Sequence, residues 1–195
     1  MKVVAFNGSS RKDGNTASLI WMVFKELAAE DIDVEMIQLG DKPLFSCRGC
    51  GTCSRTPNRH CIITEDPVNE WLDKIMEADG MILASPVYFG DVSGQMKILI
   101  DRIGMLSGAN PSAFRRKVGA GIVVGRRAGG LSAFHTLNNL FLLREMIVPG
   151  GSYWNVARGK LPGEVNDDEE GVRSMSTLGR NMAWLLKKLH AEPEK

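Results

Sequence analysis

The feature that most constrains the fold is a regular alternation of apolar, strand-like runs with segments of helical periodicity. Five such runs predict buried strands, at 2–7, 33–39, 80–85, 118–124 and 146–149. Strands that alternate with helices in this way imply a doubly wound parallel sheet with right-handed crossovers. The sequence therefore predicts an α/β fold and a single domain spanning residues 1–195.

The segments between these runs repeat apolar residues at helical spacing. Helices are predicted to begin near Thr16, after Asp66-Pro67, at Gln95, at Leu131 and after the acidic run 166–170. Asn155 to Val165 shows neither period, so it is predicted to be a surface loop.

Composition places the chain among ordinary globular proteins. It has 195 residues, a hydrophobic fraction of 44% and a charged fraction of 24%. The net charge of +1 indicates neither a nucleic-acid surface nor a membrane surface. No apolar run approaches the roughly 18 residues of a membrane span, and the N-terminus does not resemble a signal peptide. A reducing cytoplasm is the expected compartment, which disfavours structural disulfides.

Ligands of doubly wound sheets bind outside the carboxyl ends of the strands. The first loop there reads NGSSRKDGNT, and it combines glycines, hydroxyls, an amide and cations before a helix. Backbone amides and hydroxyls at a helix start form a phosphate cradle. The Walker and dinucleotide patterns are both absent. The loop 8–16 thus favours a mononucleotide phosphate, and a polar turn with a capping threonine is the alternative.

Two further loops favour a flat, ring-shaped ligand. The run SPVYFG at 85–90 offers aromatic surface and a glycine that lets the backbone approach a ring. The alternative is a tight turn whose aromatic side chains pack into the core. The run GRRAGG at 125–130 permits a similar approach from the other side. Arg126 and Arg127 suit a nicotinamide dinucleotide phosphate, an acidic partner or simple solvation.

All four cysteines lie in one short stretch, at Cys47, Cys50, Cys53 and Cys61. Their spacing on a glycine-rich loop is typical of a [4Fe–4S] cage. Zinc also accepts four thiolates but usually pairs two knuckles across a longer spacer, and cluster-free thiols are the third possibility. Nearby cations would offset the negative charge of a thiolate-bound centre: Arg48, Arg55, Arg59 and His60.

These motifs together resemble one family. The loop GSSRKDGNT, the run ASPVYFGDVSGQMKILIDR, the four cysteines and the ending DDEEGVRSMSTLGRNMAWLLKKL are similar to the iron–sulfur flavoproteins, a branch of the NADPH-dependent FMN reductases. The resemblance implies a flavodoxin-like five-stranded sheet of order 2-1-3-4-5. It also implies that the cysteine-rich loop 40–65 is inserted after strand 2.

The resemblance also implies the ligands and the residues that hold them, FMN and one [4Fe–4S] cluster. The FMN phosphate would be held by Ser9, Ser10, Arg11, Asn15 and Thr16. The flavin ring would contact Pro86, Val87, Tyr88, Phe89 and Gly90, with Gly125 and Gly129 closing the other side. The cluster would be held by Cys47, Cys50, Cys53 and Cys61. Asp91 stands where the family has a small polar residue, so no role is predicted for it.

The predicted function is electron transfer from a ferredoxin-type donor through the cluster to FMN and on to a small acceptor. A cluster carries one electron and a flavin accepts one or two, so the pair would act as a converter. One alternative is an NAD(P)H-dependent FMN or quinone reductase without a cluster, and another is a zinc-stapled, non-catalytic binding module. No side chain is predicted to be catalytic. Wide apolar faces on the helices after strands 3 and 4 predict at least a homodimer, and the resemblance implies a homotetramer built as a dimer of dimers.

Overall fold

The computed structural model describes residues 1–55, 60–110 and 112–191. Its core is a parallel sheet of five strands in the order β2-β1-β3-β4-β5. The predicted fold class and strand order are confirmed, and the cysteines follow β2 as expected. The strands are β1 (Lys2–Asn7), β2 (Asp33–Gln38), β3 (Gly80–Pro86), β4 (Val118–Gly125) and β5 (Val156–Arg158).

Helices connect the strands and cover both faces of the sheet. They are α1 (Asn15–Ala28), α2 (Thr52–Arg55), α3 (Val68–Glu77), α4 (Gly94–Ala109), α5 (Gly130–Leu143) and α6 (Glu169–His190). A 3-10 helix, Glu164–Asp167, precedes α6. Every predicted helix is present, whereas the short α2 within the cysteine segment was not predicted. The acidic run does mark a helix start, since the Asp168 side chain caps α6 by accepting from Gly171 N.

The fifth strand does not lie where the sequence predicted it. The run 146–149 makes a single isolated bridge, from Ile147 to Val118. Proline and two glycines follow it and interrupt the pairing. The chain rejoins β4 at Val156–Arg158, inside the predicted surface loop. This strand has three residues and only Ala157 is buried, so it carries no apolar period that sequence reasoning can detect.

Two apolar cores lie on opposite faces of the sheet. Alternate residues of β1 divide between them, because successive side chains of a strand point to opposite faces. Val4 and Phe6 join the core beneath α3, α4 and α5. Val3 and Ala5 join the core beneath α1 and α6. Among the described residues, no helix is long and apolar enough to span a membrane.

Close contact between α5 and β4 depends on a glycine. A Cβ added at Gly119 would lie 2.7 Å from Cδ1 of Phe141 and 3.1 Å from Cε of Met146. The Phe141 ring is completely buried, so it cannot move aside freely. The absence of a side chain at Gly119 therefore lets α5 pack directly on the strand.

We expect Gly119→Ala to lower the free energy of unfolding by about 1–3 kcal/mol, because overpacking displaces a buried ring. Urea denaturation followed by circular dichroism measures the change. Gly94→Ala is the matched control, since a Cβ there meets nothing within 4 Å and lies in a helix. The control should be neutral or stabilising by up to about 1 kcal/mol. Equal losses in both variants would contradict the packing argument.

Candidate functional site

Three loops meet at the carboxyl ends of β1, β3 and β4, and hydrogen bonds hold the first two together. Gly8 N donates to Ala84 O at 2.8 Å. The buried Ser93 hydroxyl donates to Gly8 O at 2.7 Å and also caps α4, accepting from Met96 N at 3.3 Å. A Cβ on Gly8 would lie 3.0 Å from Ser93 Oγ, so the loop after β1 approaches the start of α4 closely.

The loop after β1 turns back on itself through short polar contacts. Ser9 is buried, its N–H donates to Asn7 Oδ1 at 3.0 Å, and its hydroxyl accepts from Arg11 N at 3.0 Å. The Gln38 side-chain amide donates to Ser9 O, and Asn7 Nδ2 donates to Gln38 Oε1 at 2.8 Å. Asn7 and Gln38 were not predicted, although both end strands at the edge where ligands bind.

The helix that follows this loop begins without a side-chain cap. Gly14 is its N-cap residue, and the first turn of α1 holds no acidic side chain. Unpaired N–H groups at such a start, with the positive end of the helix dipole, favour an anion. Ser10 and Arg11 are exposed beside it, whereas Thr16 is buried. The predicted phosphate residues thus surround one helix start.

The side chain of Asn15 makes long-range hydrogen bonds that the sequence did not indicate. Its Nδ2 donates to Leu161 O at 2.8 Å, and its Oδ1 accepts from Gly163 N at 2.8 Å. Arg11 also reaches this segment, donating to Lys160 O at 3.3 Å. Backbone N–H bonds from Leu161 and Lys160 lower the pKa of Glu164, which holds the segment's turn together. Asn15 therefore fastens the segment after β5 to the start of α1.

The loop after β3 is a tight turn. Tyr88 N donates to Asp91 O at 2.8 Å and Asp91 N returns the bond at 3.1 Å. Phe89 and Gly90 between them have φ values of 49° and 84°, the signs of a type I′ turn. The Asp91 carboxylate accepts from Val92 N at 2.7 Å. Asp91 therefore closes the turn, which gives this unassigned residue a structural role.

The third loop packs against the second at a glycine. A Cβ on Gly129 would lie 3.1 Å from Gly90 Cα and 3.1 Å from Val87 Cγ1. Gly129 also has a φ of 84°, so a side chain there would be disfavoured twice. Tyr88 and Ser10 join the second loop to the first, with their hydroxyls 3.1 Å apart. The predicted residues of all three loops are thus neighbours, while Arg126 and Arg127 remain exposed.

The four cysteines lie around one small pocket and all are free thiols. Cys53 and Cys61 are partly buried against the core, whereas Cys47 and Cys50 are exposed. Across the described residues, no three His, Cys, Asp or Glu side chains are grouped closely enough to hold a metal ion. Gly49 and Gly51 have positive φ, so glycine is suited to both turns between the first three cysteines.

Local contacts prepare parts of this pocket. Hydrogen bonds from the Thr52 side chain and then from its backbone lower the pKa of Cys50, favouring the thiolate that metals require. Asn69 on α3 holds Cys61 from both sides, accepting from its N–H at 2.7 Å and donating to its carbonyl at 2.9 Å. Arg55 donates to Cys50 O at 2.8 Å, and the predicted cation Arg59 lies outside the described residues. The chemistry of the donors fits a thiolate-bound centre.

A five-stranded parallel sheet with its loop cluster at the carboxyl ends defines a flavodoxin-like protein. Among solved structures, a flavodoxin from the domain Archaea has a TM-score of 0.62 and 16% identity, covering 96% of this chain and 99% of that one. A model of the family NADPH-dependent FMN reductase matches residues 1–160.

Two curated relatives match most of the chain. An iron–sulfur flavoprotein of Methanocaldococcus jannaschii is 39% identical over 194 residues, covering 96% of this chain and 98% of the relative. Another, from Archaeoglobus fulgidus, is 36% identical over 183 residues, covering 94% and 79%. The chain belongs to the NADPH-dependent FMN reductase family, among its iron–sulfur flavoproteins, as the resemblance predicted. It is a flavin-dependent oxidoreductase that works by flavin electron transfer.

We expect Phe89→Asn to raise the free energy of unfolding of the flavin-free protein by about 1 kcal/mol. Phe89 is fully exposed and left-handed, so its ring contributes no burial while its backbone conformation costs roughly 1–2 kcal/mol. Asn before Gly is the favoured type I′ pair. Urea denaturation measures the gain, and Phe89→Leu, which keeps the disfavoured backbone, should leave stability within about 0.5 kcal/mol of the parent. A gain in neither variant would show that the turn is unstrained.

Proposed function

We propose that this protein binds FMN and one [4Fe–4S] cluster and passes electrons from a ferredoxin-type donor through the cluster to FMN. A small molecule would accept them from the flavin. The observation that carries the proposal is the presence, in one fold, of three contacting loops at the strand ends and of four thiols around a separate pocket.

The FMN phosphate is proposed to bind at the start of α1. Ser9, Ser10, Arg11 and Thr16 surround the uncapped helix end, where N–H groups and a guanidinium suit a dianion. Asn15 lies at the same helix start, but its side-chain amide is already bonded to the segment after β5. We infer that Asn15 positions the phosphate site by fixing that segment against the start of α1.

The flavin ring is proposed to lie against the loops after β3 and β4. Tyr88 and Phe89 are exposed, so their rings are available as cover for an aromatic ligand. Pro86 and Val87 continue this surface from β3. Gly90 is exposed and Gly129 is half-buried, so their backbone groups can approach the ring's polar edge. Gly125 is buried at the end of β4, where its carbonyl accepts from Gly159 N at 3.2 Å, so it is proposed to border the ring without donating to it.

The cluster is proposed to be held by Cys47, Cys50, Cys53 and Cys61. When bound, such a cluster supplies one-electron redox chemistry. The residues contribute the thiolates, the glycine turns between them and the Asn69 clamp on Cys61. Support comes from the four thiols that line one pocket and from the similarity of the chain to iron–sulfur flavoproteins.

A cluster-free NAD(P)H-dependent FMN or quinone reductase is the second candidate, favoured by the name of the matching family. A zinc-stapled binding module is the third, because zinc accepts the same thiolates. Iron, acid-labile sulfide and zinc measured on anaerobically purified protein separate the three: a cubane requires four irons and four sulfides per chain.

Three broader expectations stay proposals. The chain forms one domain, works in the cytoplasm and associates into a homodimer or homotetramer. Support for association comes from the end of α5, where Leu142 and Leu143 are 67% and 70% exposed. Adjacent exposed apolar side chains of this size are typical of contact surfaces.

Ser10→Asp should weaken FMN binding at least tenfold, because a carboxylate would repel the phosphate dianion. Isothermal titration of the flavin-free protein with FMN measures the affinity. Ser10→Ala reports the loss of the hydroxyl alone, and Ser54→Asp adds the same charge on α2, away from the cradle. An unchanged affinity in Ser10→Asp would remove the phosphate assignment.

Cys50→Ala should abolish the iron content and the acceptance of electrons from reduced ferredoxin, while FMN content stays at the parental level. The reason is that no loop of the flavin cradle contains a cysteine. Iron analysis, flavin absorbance and anaerobic stopped-flow reduction measure the three quantities. Ser54→Ala, an equally small change in the same segment, should behave as the parent. Parental ferredoxin rates in Cys50→Ala would favour the cluster-free reductase.

A further inference from the structure

A buried arginine lies against the pocket that the four thiols share. Arg102 is on α4 and its side chain is 1% exposed, although arginine is rarely buried without a partner. It lines the same pocket as Cys47, Cys50, Cys53 and Cys61. No motif in the sequence indicated a role for it.

The guanidinium of Arg102 fastens both ends of the cysteine segment. Nη1 donates to Phe45 O at 3.3 Å, two residues before the first cysteine. Nη2 donates to Ile63 O at 3.3 Å, two residues after the last. One side chain on a rigid helix therefore fixes the points where the segment leaves and rejoins the core.

Asp66 balances this charge. Its side chain is completely buried and its Oδ2 accepts from Arg102 Nη1 and, at 2.9 Å, from Phe45 N. Its Oδ1 accepts from Val68 N at 3.3 Å. A buried ion is stable only with such a partner, so the two residues form one unit.

The pair is oriented with its positive member toward the thiols. Arg102 lines the thiol pocket, whereas Asp66 is not among the described residues around it. Nε of Arg102 is buried and has no hydrogen-bond partner in the described part of the chain. A buried, unpaired N–H of a cation is costly unless an acceptor or a negative charge occupies the space beside it.

The other cations near the cysteines differ from Arg102 in burial. Arg48 and Arg55 are exposed, so solvent and salt screen their charges. A buried guanidinium interacts through a lower local dielectric constant, so at the same distance it attracts a negatively charged centre more strongly than an exposed one does.

We propose that Arg102 is a positioning residue for the cysteine segment and the buried positive charge that raises the reduction potential of the centre held there. The inference rests on the proposed iron–sulfur function. Reduction adds a negative charge to the centre, so a nearby buried cation favours the reduced state, while the bonds to Phe45 and Ile63 keep the thiols in place.

The test compares three anaerobically purified full-length variants with the parent. Arg102→Lys keeps the charge and loses the planar fork, whereas Arg102→Gln loses the charge and keeps amide donors. Arg48→Gln is the matched control, which removes an exposed charge between the first two cysteines. Iron and sulfide per chain, FMN per chain and the cluster midpoint potential from an EPR-monitored redox titration are the readouts.

We expect full FMN in all variants. Arg102→Gln should lose at least half of its iron, and any remaining cluster should have a more negative midpoint potential than the parent. The potential should stay near the parental value in Arg102→Lys and shift less in Arg48→Gln than in Arg102→Gln. Parental iron content and potential in Arg102→Gln would overturn the inference, and equal shifts in Arg102→Lys and Arg102→Gln would overturn the role of charge.

Two further outcomes are an iron-free parent protein and an Arg102→Gln variant that does not fold. A parent protein without iron would contradict the proposed function itself, whatever the variants show. If Arg102→Gln does not accumulate as a folded flavoprotein, the double variant Asp66→Leu/Arg102→Met takes its place, since removing both members of a buried pair is often tolerated. Parental iron and potential in that variant would overturn the inference.

Discussion

The parallel pairing of β1 with β2 on one side and β3 on the other is the constraint on which the site depends. It aligns Asn7 and Gln38, the last residues of β1 and β2, with Ala84, from which β3 continues for two more residues to Pro86. Strand order reverses at β1, where the crossovers lead to opposite faces and leave a crevice between the loops. The bond from Gly8 N to Ala84 O continues the ladder one step into that crevice. The site is thus an extension of the sheet.

Sequence patterns identified the elements because each is determined locally. The apolar run of β1 and the helical spacing in α1 are visible in the sequence because a strand and a helix each bury residues at a fixed local interval. The fifth strand was not identified from such a pattern, because it is three residues long and only its middle residue is buried. Its position follows from the path of the chain beside β4, which a local pattern does not contain.

The candidate site divides in the same way. Loops rich in glycine and hydroxyls could be recognised from composition, and their placement followed from the strand ends. Sequence patterns could not predict the contacts of Asn15 with Gly163 and of Arg102 with Asp66, because these residues lie 148 and 36 positions apart in the chain. Nothing in the residue type separates a buried, paired arginine from a solvated one. Only the fold reveals that a buried cation lines the thiol pocket.

Helix α4 joins the two parts of the proposed redox machinery. Ser93 caps its start and holds Gly8 of the flavin cradle, while Arg102 further along lines the thiol pocket. Nine residues separate them, about 14 Å along a helix at 1.5 Å per residue. One rigid element thus positions a residue at each site, so the distance between Ser93 and Arg102 does not depend on the conformation of the exposed cysteine loop. In the proposed function this loop meets the electron donor, and it could then change conformation without displacing Ser93 or Gly8 of the flavin cradle.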